Sequence, residues 1–348
     1  MAKTSGDGTL PRTLHDALSP VWLSEVLSPA FGGAQVTAVE TVELIQINAT
    51  KVRFKAFLDD GSTRALCLKA FLDQPAMATG NSASVREAEF YNLLASRISS
   101  RVPACVVAPV DREGEFGIVI MRDLKVEGAR FCTALEAFDA ERAAKSLEQL
   151  AHLHSSQARL GSLDAIAWAP RQVGWLSSRV PVDMIQKLMD DERSTGLPAN
   201  MRDAALLMKA LKALVAYDEA RAPTLIHGDC HAGNIYETAE GMGLIDWQLL
   251  QQGGWALDVA YHIAAVLPVD VAEREERTLL RHYLDFARGL GNAVPDDETA
   301  WREYRFSAVY GMFLWAITRN VDREIINVFY NRLASALMRH DSYRLLEG

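Results

Sequence analysis

Two short polar segments carry the residue types that could do chemistry in this chain of 348 residues. In the first, Asp229 and Asn234 follow the apolar pair at 225–226, and in the second, Asp246 follows the apolar residues 243–245. If the two apolar segments pair as a hairpin, the three polar side chains meet at one end of it. A carboxylate and an amide oxygen a few ångströms apart suit Mg²⁺, and a further carboxylate can orient or deprotonate a hydroxyl. The pattern therefore predicts a site for phosphoryl transfer.

The same residues carry a resemblance to a known family. His-Gly-Asp at 227–229, then Asn234, then Ile-Asp-Trp at 245–247 resemble the catalytic and metal loops of the aminoglycoside phosphotransferase and choline kinase superfamily. The five-residue step from Asp229 to Asn234 is also that of the protein-kinase signature H-R-D-x-x-x-x-N. Gly254 and the Asp-Val-Ala-Tyr segment at 258–261 further resemble the ecdysteroid-kinase-like branch. Several anchors occur in the right order over about residues 40–265, which makes the resemblance specific.

This resemblance implies an α+β, two-lobed fold similar to that of protein kinases. Residues 1–122 would form an N-lobe with an antiparallel sheet and one helix, and residues 123–348 a mainly helical C-lobe with the catalytic and metal loops. ATP and Mg²⁺ would bind between the lobes, and the γ-phosphoryl group would pass to a hydroxyl of a small molecule. Asp229 would be the catalytic base, and Asn234 and Asp246 would be the Mg²⁺ ligands.

The resemblance also assigns residues of the N-lobe to the nucleotide. Lys69 lies among apolar residues of a predicted strand and would contact the ATP phosphates. Glu87 of the following helix would hold it, with Glu89 as the competing partner. Met121 and Asp123 would belong to the interlobe hinge, whose backbone binds the adenine.

The expected phosphate-covering loop departs from the kinase pattern. Residues 43–51 stand at the right place but contain no glycine, whereas protein kinases use G-x-G-x-x-G there so that backbone N–H groups can approach phosphate. Asn48, Ala49 and Thr50 are expected to take over that contact. The departure leaves GTP open as the donor.

Hydrophobic periodicity predicts the elements that position these residues. Alternating segments predict strands at 36–42, 51–58, 64–71, 106–108 and 117–121. Apolar residues at helical spacing predict helices at 15–27, 84–96, around 147–154, and at 184–190, 202–217, 256–266, 274–288, 301–319 and 321–346. Residues 1–13 are polar and small and are expected to be disordered.

Composition limits the class of protein. A formal net charge of −9 argues against nucleic acid as the main partner, because phosphate backbones need clustered Lys and Arg. Four scattered cysteines without a C-x-x-C pair suggest reduced thiols. The first ten residues do not resemble a signal peptide, and no uncharged apolar run reaches the length of a membrane span. We therefore expect a cytoplasmic protein without a membrane partner, whose acceptor and oligomeric state the sequence does not reveal.

Two other functions stay open at this point. The glycine-free loop is compatible with a catalytically weak pseudokinase or ligand-binding module. His227, Asp229 and His231 could instead belong to a metal-dependent hydrolase, although no further His-rich motif supplies the remaining ligands that zinc needs. Of the many aromatic residues in the C-terminal part, only Trp247 is expected to lie near the site.

Overall fold

The computed structural model describes residues 10–47, 49–73, 80–136, 138–156, 160 and 166–346. Asn48, which is expected to contact phosphate, lies outside these ranges, as do residues 1–9 of the segment expected to be disordered. Residues 10–13 are described, and Thr13 caps the first helix through its side chain, which accepts from the backbone N–H of Asp16.

The chain divides into two compact units. The first comprises residues 1–96 and 103–129, and the second comprises residues 97–102 and 130–348. The main antiparallel sheet belongs to the first unit and most of the helices to the second. The expected α+β class is therefore confirmed, while the division into functional lobes after Arg122 stays a prediction.

Strands dominate the first unit. They are β1 (Val36–Gln46), β2 (Thr50–Leu58), β3 (Thr63–Ala70), β4 (Cys105–Val107), β5 (Val110–Asp111), β6 (Phe116–Gly117) and β7 (Val119–Arg122). Five of them form an antiparallel sheet in the order β1–β2–β3–β7–β4. β1 runs four residues beyond its predicted end, because residues 43–46 continue to pair with residues 50–53. Period-two burial in β2 places Val52 and Phe54 in the core of the unit.

The helices of the first unit are α1 (Leu14–Ala17), α2 (Pro20–Leu27) and α3 (Gly80–Leu93), and Ser28–Phe31 forms a 3₁₀ turn. A single helix was predicted over 15–27, but Pro20 divides it. Proline lacks the N–H that would continue α1, and it also disfavours a helical conformation of Ser19, which is extended. Leu23 and Leu27 of α2 pack into the core of the sheet.

The second unit is mainly helical. Its helices are α4 (Ala140–His154), α5 (Val173–Arg179), α6 (Val182–Asp190), α7 (Ala204–Glu219), α8 (Trp255–Val266), α9 (Val269–Gly289), α10 (Asp297–Ile317), α11 (Arg323–His340) and α12 (Ser342–Leu345). Its strands are β8 (Arg130–Phe131), β9 (Thr224–Ile226), β10 (Ile235–Thr238), β11 (Gly241–Leu244) and β12 (Gln251–Gly253). Every residue of α8 from 256 to 266 is buried, which makes α8 the central helix of this unit. Within the described ranges, no helix combines the length and the apolar character that a membrane span requires.

The strand pairing around the polar segments differs from the prediction. The expected hairpin between residues 225–226 and 243–245 is wrong: β9 pairs with β12, and β11 pairs with β10. Residues 235–238 form a strand of their own, and the turn at Gly241, with φ +126°, returns the chain directly onto it. The polar segments nevertheless meet, because the backbone N–H of Ile245 donates to the carbonyl of Asn234 at 3.0 Å.

Candidate active site

The loop that follows β9 is held by one buried carboxylate, that of Asp258. Asp258 of α8 accepts the backbone N–H of His227 at 2.7 Å and that of Gly228 at 2.9 Å. The ring of His154 lies 3.1 Å from the same carboxylate. Burial alone would raise the pKa of Asp258, but the hydrogen bonds and the facing histidines outweigh it and lower that pKa. Asp258 is therefore an ionised support for the loop.

Gly228 is required by the shape of this loop. Its φ is +81°, and a Cβ built there would collide with the carbonyl oxygen of Leu249. The hydroxyl of Tyr310 donates to the carbonyl of Gly228 at 2.6 Å. The middle residue of the His-Gly-Asp motif is thus glycine for both conformational and steric reasons.

Both ring nitrogens of His227 contact backbone groups of the site. Its Nδ1 accepts the backbone N–H of Asp229 at 3.1 Å, and its Nε2 lies 3.0 Å from the carbonyl of Ile245. Burial lowers the pKa of His227, which keeps the ring neutral. Because both ring nitrogens are used, His227 is not available to a metal, and the described part of the chain contains no group of three His, Cys, Asp or Glu that could hold one. The hypothesis of a metal-dependent hydrolase therefore lacks His227 as a ligand.

Asp229 occupies the centre of the site. One carboxylate oxygen, Oδ2, accepts from the Nδ2 of Asn234 at 3.1 Å, and the other, Oδ1, accepts from the hydroxyl of Tyr261 at 3.3 Å. The side chain keeps 26% of its surface exposed, so that it can still meet a ligand. Burial and the neighbouring Asp246 carboxylate raise the pKa of Asp229 to about 7. Two carboxylates that repel each other at close range are an environment in which a cation would be stabilised.

Asn234 and Asp246 complete the set of oxygen ligands. The amide nitrogen of Asn234 is occupied, because it donates both to the carbonyl and to the carboxylate of Asp229. Its amide oxygen has no hydrogen-bond partner among the described residues, although the residue is only 5% exposed. Asp246 has a left-handed backbone conformation, with φ +68°, directly after Ile245. The carboxylate of Asp246 and the amide oxygen of Asn234 are hard ligands of the kind that fits Mg²⁺.

Within the first unit, Lys69 and Glu87 form a buried ion pair. The Nζ of Lys69 on β3 lies 2.9 Å from one carboxylate oxygen of Glu87 on α3 and 2.8 Å from the other. The alternative partner, Glu89, pairs with Arg112 instead. The choice that the sequence left open is thereby resolved in favour of Glu87.

The other residues predicted to contact the nucleotide, apart from Asn48, lie in the first unit. Ala49 and Thr50 are buried, and the Thr50 hydroxyl lies 3.4 Å from a backbone carbonyl that follows β3. Met121 lies within β7. The carboxylate of Asp123 accepts from the Nε of Arg53 at 2.9 and 3.0 Å, and its backbone N–H donates to a carbonyl of β3. A contact between these residues and a nucleotide stays a prediction.

Replacing Lys69 by methionine should strongly destabilise the protein. Glu87 is 3% exposed and would lose the ammonium group that faces both of its carboxylate oxygens, and removing one partner of a buried ion pair typically costs about 3–5 kcal/mol. The double variant Lys69→Met/Glu87→Leu should recover most of that loss, because it removes both charges. Urea unfolding measures all three proteins, with Lys55→Met at an exposed ion pair as the control. Equal stability of Lys69→Met and wild type would show that Lys69 does not neutralise the buried carboxylate of Glu87.

A second buried histidine supports the loop from α8. His262 lies with Nδ1 at 2.6 Å from the carbonyl of Cys230 and with Nε2 at 2.7 Å from the hydroxyl of Ser146 on α4. Burial lowers the pKa of His262 to about 4, so the ring is neutral in the folded protein. It ties the residue after Asp229 to two helices.

His262 should make the protein less stable in mild acid. Its pKa in the folded state lies below the ordinary value, so the unfolded state takes up a proton first as the pH falls. The contribution of neutral His262 to the free energy of unfolding is therefore complete above about pH 6.5 and is lost as the pH falls towards about 4. Linkage then predicts a loss of about 2 kcal/mol between about pH 7.5 and pH 5. Urea unfolding at both pH values should show a smaller loss in His262→Gln and an unchanged one in the exposed control His15→Gln. The same loss in His262→Gln and wild type would refute this assignment.

Sequence reasoning missed several residues around Asp229. Tyr261 and Trp315 belong to the aromatic residues that were not expected near the site, yet the first contacts the Asp229 carboxylate and the second donates to the first at 2.8 Å. One signal was available: Asp258 and Tyr261 are three residues apart, so a helix places both on the same side of the loop. Trp247 does lie near the site, since its ring centroid is 4.7 Å from that of His227.

Known proteins resemble this chain in sequence pattern and in fold. The model of the phosphotransferase enzyme family (APH) matches residues 54–304. A search of curated proteins found no match. Among solved structures, a choline/ethanolamine kinase family protein from Mesorhizobium loti is 18% identical, with 92% of this chain and 95% of that chain covered and a TM-score of 0.51. An ethanolamine kinase from Plasmodium vivax is 16% identical, with 88% and 85% covered and a TM-score of 0.52.

At these identities the likeness concerns the fold, and it confirms the expected kinase-like fold. The narrower resemblance to the ecdysteroid-kinase-like branch stays a prediction. The family match includes Lys69 as well as the loop from His227 to Asp246. Because it extends over well more than half of the chain, the chain belongs to the phosphotransferase enzyme family.

Proposed function

We propose that the protein is a small-molecule kinase that uses ATP and Mg²⁺ and phosphorylates a hydroxyl group. The observation that carries this proposal is the contact of Asn234 with Asp229 at 3.1 Å, together with the backbone bond from Ile245 to Asn234, which brings the segment of Asp246 to the same loop. Membership of the phosphotransferase enzyme family supports the same reaction class.

Asp229 is the residue that receives the acceptor. Its carboxylate orients the hydroxyl for in-line attack on the γ-phosphorus. It takes up the hydroxyl proton as the new oxygen–phosphorus bond forms and the bond from the γ-phosphorus to the departing ADP breaks. Burial raises the pKa of Asp229 above the ordinary value of a carboxyl group, which makes it a stronger base towards the hydroxyl proton.

Asn234 and Asp246 would hold the magnesium ion. When bound, Mg²⁺ neutralises phosphate charge that builds up on the leaving group. The role of Asn234 depends on the orientation of its amide, and the two hydrogen bonds to Asp229 engage the nitrogen and leave the oxygen for the metal ion. In the first unit, Lys69 contacts the phosphates, and Glu87 holds its ammonium group in place.

The acceptor is a small alcohol, and we expect the reaction to take place in the cytoplasm. The cysteines at 67, 105, 132 and 230 are all free thiols in the structure, which suits a reducing compartment. The names of the two similar structures suggest choline and ethanolamine as first candidates, followed by aminoglycosides, macrolides and steroid alcohols.

A screen for ADP release tests the proposal. The protein is incubated with ATP or GTP, Mg²⁺ and single hydroxyl compounds, and EDTA serves as the control. A compound that accelerates ADP release only with Mg²⁺, and is recovered as its phosphate ester, supports a kinase. Nucleotide binding without transfer to any compound would favour the pseudokinase, and tightly bound zinc would favour the hydrolase.

A further inference from the structure

The hydroxyl of Tyr261 is placed between two groups that define the direction of its proton. The indole Nε1 of Trp315 on α10 donates to it at 2.8 Å. An indole N–H can only donate, so the hydroxyl oxygen is the acceptor in that contact. Its own proton is then directed to Oδ1 of Asp229 at 3.3 Å, the one acceptor that the described residues offer it.

We propose that Tyr261 is a positioning residue for phosphoryl transfer, which holds the Asp229 carboxylate at the angle needed to receive the acceptor hydroxyl. This inference rests on the proposed function. The last torsion of an aspartate is broad, so the side chain does not fix the plane of its own carboxylate. Two donors on opposite oxygens, Tyr261 on Oδ1 and Asn234 on Oδ2, fix that plane.

The carboxylate needs such support because a like charge lies close to it. Repulsion from Asp246 would favour a rotation of the Asp229 carboxylate about its last torsion. Tyr261 is fully buried, and burial together with the Asp229 charge raises the pKa of its hydroxyl well above the ordinary value, so it stays a donor. The result is a donor that opposes the rotation without adding charge.

Helix α10 is shaped to hold the Tyr261 ring. Gly311 lies in the middle of α10, and a Cβ built there would collide with the ring of Tyr261. Alanine is normally the better helix former, so glycine at this place indicates that the space is needed. Four residues later, one helical turn along, Trp315 supplies its N–H to the same side chain. Gly311 therefore leaves room for the ring of Tyr261, and Trp315 orients its hydroxyl.

Tyr261→Phe tests the proposal, because it removes the hydroxyl and keeps the ring. The expected result is a fall in kcat of about tenfold, in line with the sensitivity of such reactions to small misplacements, with the KM for ATP within about twofold of wild type. Tyr304→Phe is the matched control, since Tyr304 is also buried and its hydroxyl lies 3.3 Å from a carboxylate, that of Glu276, away from the loop. It should leave both constants unchanged.

Trp315→Phe and Gly311→Ala give independent tests. Trp315→Phe removes the N–H that directs the tyrosine, together with part of a ring that stacks on Phe329. The part of its effect on kcat that acts through the Tyr261 hydroxyl should vanish in the Tyr261→Phe background, so the losses in the double variant should be less than additive. Gly311→Ala should lower kcat although it favours the helix.

The outcomes distinguish the proposed kinase function from the positioning role of Tyr261. A wild-type protein that transfers phosphate to no hydroxyl compound overturns the proposed function and this inference with it. An active wild type with an equally active Tyr261→Phe variant overturns the positioning role alone. So does an equal loss in Tyr261→Phe and Tyr304→Phe, or additive losses in the variant that combines Tyr261→Phe with Trp315→Phe.

Discussion

Replacing Asp229 by asparagine should lower phosphoryl transfer by about a thousandfold, because the amide cannot take up the acceptor's proton. The substitution keeps the size of the side chain, and the backbone contacts that hold the loop come from Asp258 and Tyr310. It also removes one of the two carboxylates that repel each other. We therefore expect a folded, nucleotide-binding and nearly inactive protein.

Initial rates of ADP release, compared at equal amounts of folded protein, check this prediction. Asp183→Asn is a suitable control, since that carboxylate lies on the exposed side of α6 with 74% of its side chain accessible. The control should keep wild-type rates. An Asp229→Asn protein that also keeps them would show that another group receives the proton.

Replacing Asp246 by asparagine should remove the dependence of nucleotide binding on magnesium. A neutral amide is a weaker ligand for a hard divalent cation than a carboxylate. We expect the rate to fall by about a hundredfold or more, since metal stabilisation of transition-state charge is worth several kcal/mol. The backbone should tolerate the change, because asparagine adopts the left-handed conformation found at this position, with φ +68°.

Stability gives this second prediction a separate readout. The unfolding temperature of each protein without ligand is the reference for its response to magnesium. With ATP, adding Mg²⁺ should raise the unfolding temperature of wild type further than that of the variant. If Mg²⁺ raised both equally, Asp246 would not be a metal ligand.

Local pattern predicted most elements of this fold. The strands that became β2 and β3 alternate apolar and polar residues, and the helix that became α4 places its apolar residues on one face; both signals lie within the segment itself. Strand partners are different, because pairing depends on residues far along the chain. The segment 225–226 was therefore assigned to the wrong partner, although it was correctly read as a strand.

The same limit applies to the site. Asp229, Asn234 and Asp246 were identifiable because their spacing matches a motif, and the structure does bring Asp229 and Asn234 into hydrogen-bonding contact. The choice between Glu87 and Glu89 needed coordinates, because residues two apart on a helix face different sides.

Tyr261, His262 and Trp315 support the site but were not identified from the sequence. Tyr261, His262 and Trp315 lie in helices that are rich in apolar and aromatic residues, where a functional side chain and a core side chain have the same pattern. Only the positions of their polar atoms distinguish them: each makes a hydrogen bond to the loop after β9 or to a side chain that does.

Electron paramagnetic resonance with Mn²⁺ in place of Mg²⁺ tests the central claim most directly and needs no known acceptor. The wild-type protein and ATP together should remove Mn²⁺ from solution beyond what ATP alone removes, and Asp246→Asn should lose most of that effect. If the protein left the amount of free Mn²⁺ unchanged, or if Asp246→Asn bound it as well as wild type, the three oxygen-bearing side chains would not form a metal–nucleotide site.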